Sequence, residues 1–308
     1  MKGIFFPGIG IYFGNVPSSF SIFGFKITLY AIAITLGYIL AYTMSVWMAK
    51  RSGQEEEDYL DYLLVMVIPT IIGARLYYVI FNYKHYFVEG RGAWDTFVSI
   101  INIRIGGLAV YGGLIVGVLV AYFYTKKRKL WLPLFGDTIC MGVLIGQILG
   151  RWGNFFNREA FGGYTNSFFR MAIPLQYFEE NFSMKYLTSN NILTDEMLNN
   201  LETVRDMSCV TVHPAFLYEG LWNLALLIFL FIYKKHKKFD GEMGLMYLAG
   251  YGFGRFFVEA LRSDSLMIGP LKISQIVAIL CVVGSIGLIV YNRINIKKGK
   301  EPKLHLVK

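Results

Sequence analysis

Seven apolar runs, each of roughly 20 residues, limit how this chain can fold more than any other feature of its sequence. A helix of that length crosses the ~30 Å hydrocarbon layer of a bilayer. The sequence therefore predicts an all-α polytopic membrane protein, with seven transmembrane helices forming a single membrane domain over residues 1–308. The predicted spans are 22–49, 60–83, 106–124, 134–152, 213–233, 242–261 and 269–292.

Basic residues predict the orientation of these spans. Of the 30 lysines and arginines, 16 follow the first, third, fifth and seventh runs, in segments 50–51, 126–129, 234–238 and 293–308. Positively charged flanks stay on the cytoplasmic side of a membrane. We therefore expect the N-terminus outside and the C-terminus in the cytoplasm. Because the net charge of +9 is placed beside apolar runs, it does not predict nucleic-acid binding.

Two of the segments predicted to lie outside are long. Residues 84–105 are rich in aromatic side chains, which is typical of a helix lying in the membrane interface. Residues 153–212 are predicted to form a small extracytoplasmic head inserted between the fourth and fifth spans. Within this head, Thr194 is predicted to cap a helix over residues 195–204. The three cysteines lack metal-ligand or redox spacing, so no metal or cofactor is predicted.

Polar side chains in the spans concentrate toward the predicted outer ends, and the inner halves are almost wholly apolar. Any one of them could be a private hydrogen bond between helices, but their shared depth favours a single site open to the outside. The set comprises Tyr30, Arg75, Tyr111, Gln147, Arg151, His213, Glu219, Tyr251, Arg255, Glu259 and Gln275.

The densest polar stretch is GRWGNFFNREAFGG, residues 150–163. It could be only a helix cap with a solvated charge cluster. However, the only carboxylates near Arg75, Arg151 and Arg255 are those of Glu159, Glu219 and Glu259. Three further arginines are predicted at the same depth: Arg104, Arg158 and Arg262. Guanidinium groups bind phosphate bidentately. An excess of arginine therefore predicts a site for a phospholipid head group.

Four motifs resemble those of the bacterial prolipoprotein diacylglyceryl transferase family: GRWGNFFNREAFGG, GGLAVYGGLIVG (106–117), HPAFLYEG (213–220) and GYGFGRFFVEALRSD (250–264). The resemblance implies a multi-pass enzyme of the bacterial cytoplasmic (inner) membrane. It would transfer a diacylglyceryl group from phosphatidylglycerol to the lipobox cysteine of prolipoproteins, forming a thioether and releasing glycerol phosphate. Its partners would be these two substrates and membrane lipids.

The resemblance also implies roles for particular residues. Arg151 and Arg255 match the family's important arginines. Further matches are Asn154, Glu159, Gly162, Tyr30, Tyr251 and Glu259. We assign catalytic roles to Arg151, Arg255, Glu159 and Tyr111. The remaining predicted substrate-binding residues are Tyr30, Arg75, Asn154, Asn157, Gly162, His213, Glu219, Tyr251, Glu259 and Gln275.

One position departs from the family pattern. Tyr111 stands where the family usually has a histidine, a commonly proposed base. A free phenol has a pKa of ~10 and is a poor base near neutral pH. Nearby arginines could lower that pKa; alternatively, Tyr111 only donates a hydrogen bond to the lipid phosphate. Two other functions stay open, an anion or solute transporter and a phospholipid-binding homologue without catalysis.

Overall fold

A computed structural model describes residues 3–87, 90, 92–103, 106–263 and 265–307. Helices dominate it. They are α1 (Leu29–Arg51), α2 (Glu56–Phe81), α3 (Tyr83–Tyr86), α4 (Ala93–Ile101), α5 (Val110–Arg128), α6 (Leu132–Asn157), α7 (Leu175–Asn181), α8 (Met184–Ser189), α9 (Asp195–Asn199), α10 (Ala215–Tyr233), α11 (Glu242–Leu261) and α12 (Ile273–Lys297).

Among the described residues, five helices are long and apolar enough to cross a membrane: α1, α2, α6, α10 and α12. The architecture is therefore that of a multi-pass membrane protein. The long helices α5 and α11 are not in this group. Glycines interrupt both apolar runs, and α11 also carries Arg255 and Glu259.

The predicted start of the first span at residue 22 is wrong. A hairpin of β3 (Ser19–Ile22) and β4 (Phe25–Thr28) precedes α1, with Phe23 and Gly24 at positive φ in its turn. Helix α1 begins only at Leu29, where the Thr28 side chain accepts a hydrogen bond from the Ala31 amide at 3.2 Å. This cap satisfies one amide of the first helical turn, so the helix starts there.

The prediction of an all-α protein is wrong for the segment between α6 and α10. This segment supplies β5 (Met171–Pro174), β6 (Glu202–Val204) and β7 (Met207–Val212). They form an antiparallel sheet in the order β2-β1-β5-β7-β6 with two N-terminal strands, β1 (Ile4–Phe6) and β2 (Ile11–Phe13). The strands are short, and the pairs that join the two hairpins, β1 with β5 and β5 with β7, connect segments far apart in sequence, so no local pattern indicates the sheet. Two further strands, β8 (Met267–Ile268) and β9 (Leu271–Lys272), form a separate hairpin.

Details of the predicted head are partly confirmed. Thr194 caps α9 by accepting a hydrogen bond from the Met197 amide. The helix ends at Asn199, however, and Glu202–Val204 is a strand. The helix predicted within 84–105 is present as α4, with Trp94 and Phe97 on its exposed side. Its location in the membrane interface stays a prediction.

Helix α6 lies at the centre of the bundle, packed against α1, α10 and α11. A second close pair is α2 with α5, whose backbones meet where Gly73 faces Gly112. A Cβ at Gly112 would lie 2.3 Å from the Gly73 carbonyl oxygen. Small residues permit this approach between helices in a membrane.

The bundle end opposite Arg151 is more polar than the sequence predicted. Near the start of α6, Asp137 accepts a bond from Lys237 at 2.9 Å, and Asp240 accepts from the same ammonium group at 3.0 Å. All three side chains are buried. The expectation of almost wholly apolar inner halves overlooked Asp137. Its charge is tolerated because it is paired within the bundle.

Candidate functional site

The stretch 150–163 begins as helix and ends as a turn. Helix α6 continues through Asn157, so Arg151 and Asn154 stand one turn apart on one face. Beyond it, Arg158 and Ala160 both have positive φ, which ends the helix sharply. The stretch therefore presents its first polar residues from a rigid helix and its last ones from a loop.

A buried glutamate of α10 joins the two predicted catalytic arginines. Arg151 Nη2 donates to Glu219 Oε1 at 2.8 Å, and Arg255 Nη1 donates to Glu219 Oε2 at 2.9 Å. The Tyr251 hydroxyl also donates to Oε1, at 3.1 Å. One carboxylate thus holds side chains from α6 and α11 together. The sequence predicted these residues at one depth, and the structure brings them into contact.

Three polar residues share one face of α11. Tyr251, Arg255 and Glu259 are four residues apart, and Arg255 Nη2 lies 2.5 Å from Glu259 Oε2. Arg255 is therefore held between two carboxylates. A planar guanidinium fixed at two edges keeps one orientation, which prepares it to bind a ligand without rearrangement.

The side chains of Arg151 and Arg255 are more accessible than the carboxylate of Glu219 that joins them. The side chains of Arg151 and Arg255 are 21% and 18% exposed, against 2% for Glu219. Of the five N–H donors of each guanidinium group, the contacts above use one on Arg151 and two on Arg255. Each guanidinium group therefore keeps donors that could bind a ligand. The partly exposed guanidinium groups would attract an anion, although the carboxylate of Glu219 is buried beside them.

The predicted excess of arginine is wrong for the described part of this cluster. Two guanidinium groups are connected by contacts to three carboxylates, those of Glu159, Glu219 and Glu259. The two guanidinium groups are partly exposed, whereas the carboxylates of Glu219 and Glu259 are buried beneath them and that of Glu159 lies at the edge of the cluster. The accessible surface at the arginines is therefore positively charged. Arg158 lies elsewhere, where its guanidinium donates to the Val16 carbonyl at 2.7 Å. Arg104 lies outside the described residues.

A network of amides connects Arg151 to Glu159. Arg151 Nη1 donates to Asn154 Oδ1 at 3.2 Å, and Asn154 Nδ2 donates to Glu159 Oε1 at 3.0 Å. Asn157 Nδ2 donates to the same oxygen at 3.3 Å. Glu159 is exposed and has no ion-pair partner in the described part of the chain. In this position it orients Asn154, and through it Arg151.

Gly162 and His213 fasten the end of the stretch to the bundle. The Gly162 amide donates to the His213 carbonyl at 2.8 Å, and the Gly163 amide donates to the Leu261 carbonyl at 2.7 Å. A Cβ at Gly162 would lie 2.8 Å from both the His213 Cβ and the Leu261 oxygen. Only glycine fits this gap. Burial lowers the pKa of His213.

Tyr30 and Gln275 surround the cluster by packing. A Cβ added at Gly153 would lie 2.7 Å from the Tyr30 ring, so the phenol covers α6 between Arg151 and Asn154. Gln275 Nε2 donates to the Phe256 carbonyl at 3.2 Å, which ties α12 to α11 beside Arg255. Both residues border the site that the sequence predicted.

Tyr111 contacts α12. Its hydroxyl lies 2.5 Å from the Ser274 hydroxyl, and its ring packs near Tyr77.

If the hydrogen bond between Tyr111 and Ser274 matters only for packing, Tyr111→Phe and Ser274→Ala should lower thermal stability alike and preserve transfer activity. If the Tyr111 phenol acts on substrate, we expect Tyr111→Phe to lose more activity than Tyr111→His, and Ser274→Ala to lose little. Rates measured for all three variants decide between these roles.

Arg75 does not face the arginine cluster. All five of its N–H donors bond to backbone carbonyls, those of Ser99, Ile100, Asn102, Gly106 and Gly107, at 2.6–3.0 Å. The side chain is buried. Its predicted role in substrate binding is replaced by a structural one, because no donor remains for a phosphate. Arg75 holds the end of α4 and the segment before α5 against α2.

This geometry predicts the effect of a conservative change. Arg75→Lys keeps the charge but replaces a planar five-donor group with three donors at a single point. We expect the free energy of unfolding to fall by about 3 kcal/mol, since buried carbonyls lose their partners. Thermal unfolding in detergent measures this. An unchanged melting temperature would show that the carbonyls find other partners.

Two polar side chains near the cluster were missed or left without a role. Lys272 Nζ donates to the carbonyls of Glu259 and Arg262 at 2.7 and 2.6 Å, closing the end of α11. The only signal was a lysine on the predicted outer side. Gln147 Nε2 donates to the Tyr247 hydroxyl at 2.9 Å, one turn deeper than Arg151.

An apolar cavity of about 600 Å³ reaches this region from between α1, α2 and α6. Its walls include Ile34, Tyr38, Met66 and Val143, and Gln147 is at its edge. The cavity is almost entirely lined by hydrocarbon and aromatic side chains. Such a surface suits an apolar chain, and it lies one helical turn from the arginine at the start of the polar stretch.

Three of the four motifs meet around Glu219, and comparison with known proteins bears on all four. A family model described as prolipoprotein diacylglyceryl transferase matches residues 17–291. The chain belongs to this family. The resemblance carried by the motifs is thereby confirmed.

Curated members of the transferase family cover nearly the whole chain. A phosphatidylglycerol–prolipoprotein diacylglyceryl transferase of Clostridioides difficile (strain 630) is 36% identical over 273 residues, or 89% of this chain and 94% of the relative. The enzyme of that name from Finegoldia magna is 38% identical over 285 residues, 92% and 98% of the two chains. One from Clostridium botulinum (strain Langeland) is 33% identical over 282 residues, again 92% and 98%.

Proposed function

We propose that this chain transfers a diacylglyceryl group from phosphatidylglycerol to the lipobox cysteine of prolipoproteins. The names of its relatives give diacylglyceryl transfer between phosphatidylglycerol and a prolipoprotein. The observation that carries the proposal is the partly exposed pair Arg151 and Arg255, held by the buried Glu219. Two oriented guanidinium groups suit the phosphate of a lipid head group.

The reaction exchanges one bond to carbon for another. The cysteine sulfur attacks the carbon of the diacylglycerol unit that is bonded to the phosphate oxygen. A C–S bond forms as that C–O bond breaks. The bonding electron pair leaves on the phosphate oxygen, so the products are a thioether and glycerol phosphate. The thiol proton is released to water, because a thiol of pKa ~8.5 is already a few per cent thiolate at pH 7.

The arginines act on the leaving group in this scheme. Negative charge concentrates on the phosphate as the C–O bond breaks, and Arg151 and Arg255 direct their remaining N–H donors toward it. Fixed donors in a water-poor site stabilise such developing charge strongly. Asn154 and Glu159 position Arg151, and Tyr251 and Glu259 position Arg255. The acyl chains occupy the apolar cavity beside α1, α2 and α6.

The membrane arrangement completes the proposal. All seven long helices cross the bacterial cytoplasmic membrane. Helix α5 is stabilised there by packing against α2, and α11 by packing against α12. Segments 50–51, 126–129, 234–238 and 293–308 hold 16 of the 30 basic residues, which favours placing them in the cytoplasm. The arginine cluster then faces the outer leaflet, where precursor lipoproteins arrive.

Purified protein in vesicles of acyl-deuterated phosphatidylglycerol tests this function with a lipobox peptide. We expect the peptide mass to increase by one deuterated diacylglyceryl group, and a Cys→Ser peptide to gain nothing. Release of trapped phosphate from the vesicles without peptide labelling would instead identify a transporter. Lipid binding with neither result would identify a homologue without catalysis.

A further inference from the structure

A fully buried amide lies in α10 one turn below Glu219. The Asn223 side chain is 0% exposed, and neither its Nδ2 nor its Oδ1 has a hydrogen-bond partner among the described residues. Buried polar groups without partners are rare because they are costly.

Neighbouring contacts show what Asn223 faces. On the same side of α10, Glu219 binds Arg151 of α6 and Tyr251 of α11. One turn beyond Asn223, Leu226 packs against Gly250, where an added Cβ would lie 2.6 Å from Leu226 Cδ1. Asn223 is between these two contacts. It therefore points into the junction of α10 with α6 and α11.

A second amide stands at the same level. Gln147 precedes Arg151 by one turn on α6, as Tyr247 precedes Tyr251 on α11 and Asn223 follows Glu219 on α10. Gln147 Nε2 donates to the Tyr247 hydroxyl at 2.9 Å, while its buried Oε1 has no partner among the described residues. The Tyr247 ring stacks on Tyr251 with centroids 6.0 Å apart, which connects this level to the arginine cluster.

We propose that Asn223 and Gln147 form a binding site for hydroxyl groups beneath the arginine cluster. Their unused donors and acceptors are neutral and match a hydroxyl, which both donates and accepts. The hydroxyls belong either to trapped water or to the glycerol head group of the lipid. The second source rests on the proposed function, and the cavity that Gln147 borders gives it a route.

Thermal unfolding of Asn223→Leu and Asn223→Ala in lipid-free detergent tests the site. Leucine fills the space of the asparagine side chain, whereas alanine leaves it open. If both variants change the melting temperature in the same way, the cause is the loss of the amide rather than a poor fit of the new side chain. Asn292→Leu is the matched control, since Asn292 is exposed near the end of α12 and donates only to the Leu288 carbonyl. If water is the ligand, both Asn223 variants should unfold several degrees lower, and the control should not.

Repeating the melts with added lipid separates the two sources. Phosphatidylpropanol lacks both head-group hydroxyls of phosphatidylglycerol. If the head group is the ligand, phosphatidylglycerol should stabilise the parent protein at about 10-fold lower concentration than phosphatidylpropanol. Both Asn223 variants should lose that preference while melting normally without lipid.

The hydroxyl site is overturned if both variants melt at or above the parent temperature and retain its lipid preference. These measurements use binding and stability alone. Absence of peptide labelling in the transfer assay would therefore refute the proposed function without deciding the fate of this site.

Discussion

Arg151→Ala should lower the rate of diacylglyceryl transfer by about 10²–10³-fold, the loss typical when a donor that stabilises developing charge is removed. Arg151 lies at the accessible face with donors left over after its bonds to Glu219 and Asn154. Alanine removes those donors from the phosphate. Arg151→Lys should recover little of the loss, because an ammonium group cannot replace a two-edged guanidinium. Initial rates with a lipobox peptide measure the effect.

Arg170→Ala provides the matched control. The Arg170 side chain is also 21% exposed and is also paired with one glutamate, Glu202 of β6. It lies at the sheet rather than in the α6–α10–α11 cluster. We expect near-normal transfer from this variant. Near-normal transfer by Arg151→Ala in correctly folded protein would remove Arg151 from the reaction.

Glu219→Gln should produce the second large effect, on stability and activity together. Glu219 is 2% exposed and accepts bonds from Arg151, Arg255 and Tyr251. Removing its charge leaves two guanidinium groups without their shared carboxylate. Breaking such a buried pair costs about 3–5 kcal/mol. We expect a lower melting temperature in detergent and a transfer rate reduced at least 10-fold, by loss of arginine orientation.

The same variant should bind inorganic phosphate more tightly than the parent, since Glu219 no longer competes for the arginine donors. Titrating phosphate against thermal unfolding measures this. Glu202→Gln is the control, because it breaks the Arg170 pair and leaves the cluster intact. Parent-like stability and unchanged phosphate binding in Glu219→Gln would contradict the assigned position of Glu219 behind the arginines.

Much of the site could be predicted because polar residues are easy to recognise within the apolar runs of a membrane protein. Arg151, Glu219, Tyr251 and Arg255 stand out in apolar runs, and helical periodicity places them on facing sides. Their predicted depth rests on which ends of the runs carry lysines and arginines. What the sequence could not provide is pairing. That Glu219 would hold both arginines depends on the packing of α10 between α6 and α11.

The errors have the same origin in long-range contacts. Arg75 resembled a phosphate ligand until the carbonyls before α5 proved to surround it. The sheet was missed because β1 pairs with β5 across most of the chain. Asn223 was overlooked as one amide in an apolar run. In each case the residue type was visible, but its surroundings are formed by segments distant in sequence.

The central claim is that sulfur displaces phosphate at the glycerol carbon while Arg151 and Arg255 bind the departing oxygens. Phosphatidylglycerol with ¹⁸O in the oxygen between that carbon and phosphorus tests it directly, with mass spectrometry of both products. The account predicts all ¹⁸O in the released glycerol phosphate and none on the diacylglyceryl-peptide. Label retained with the lipid, or phosphorus on the peptide, would contradict it.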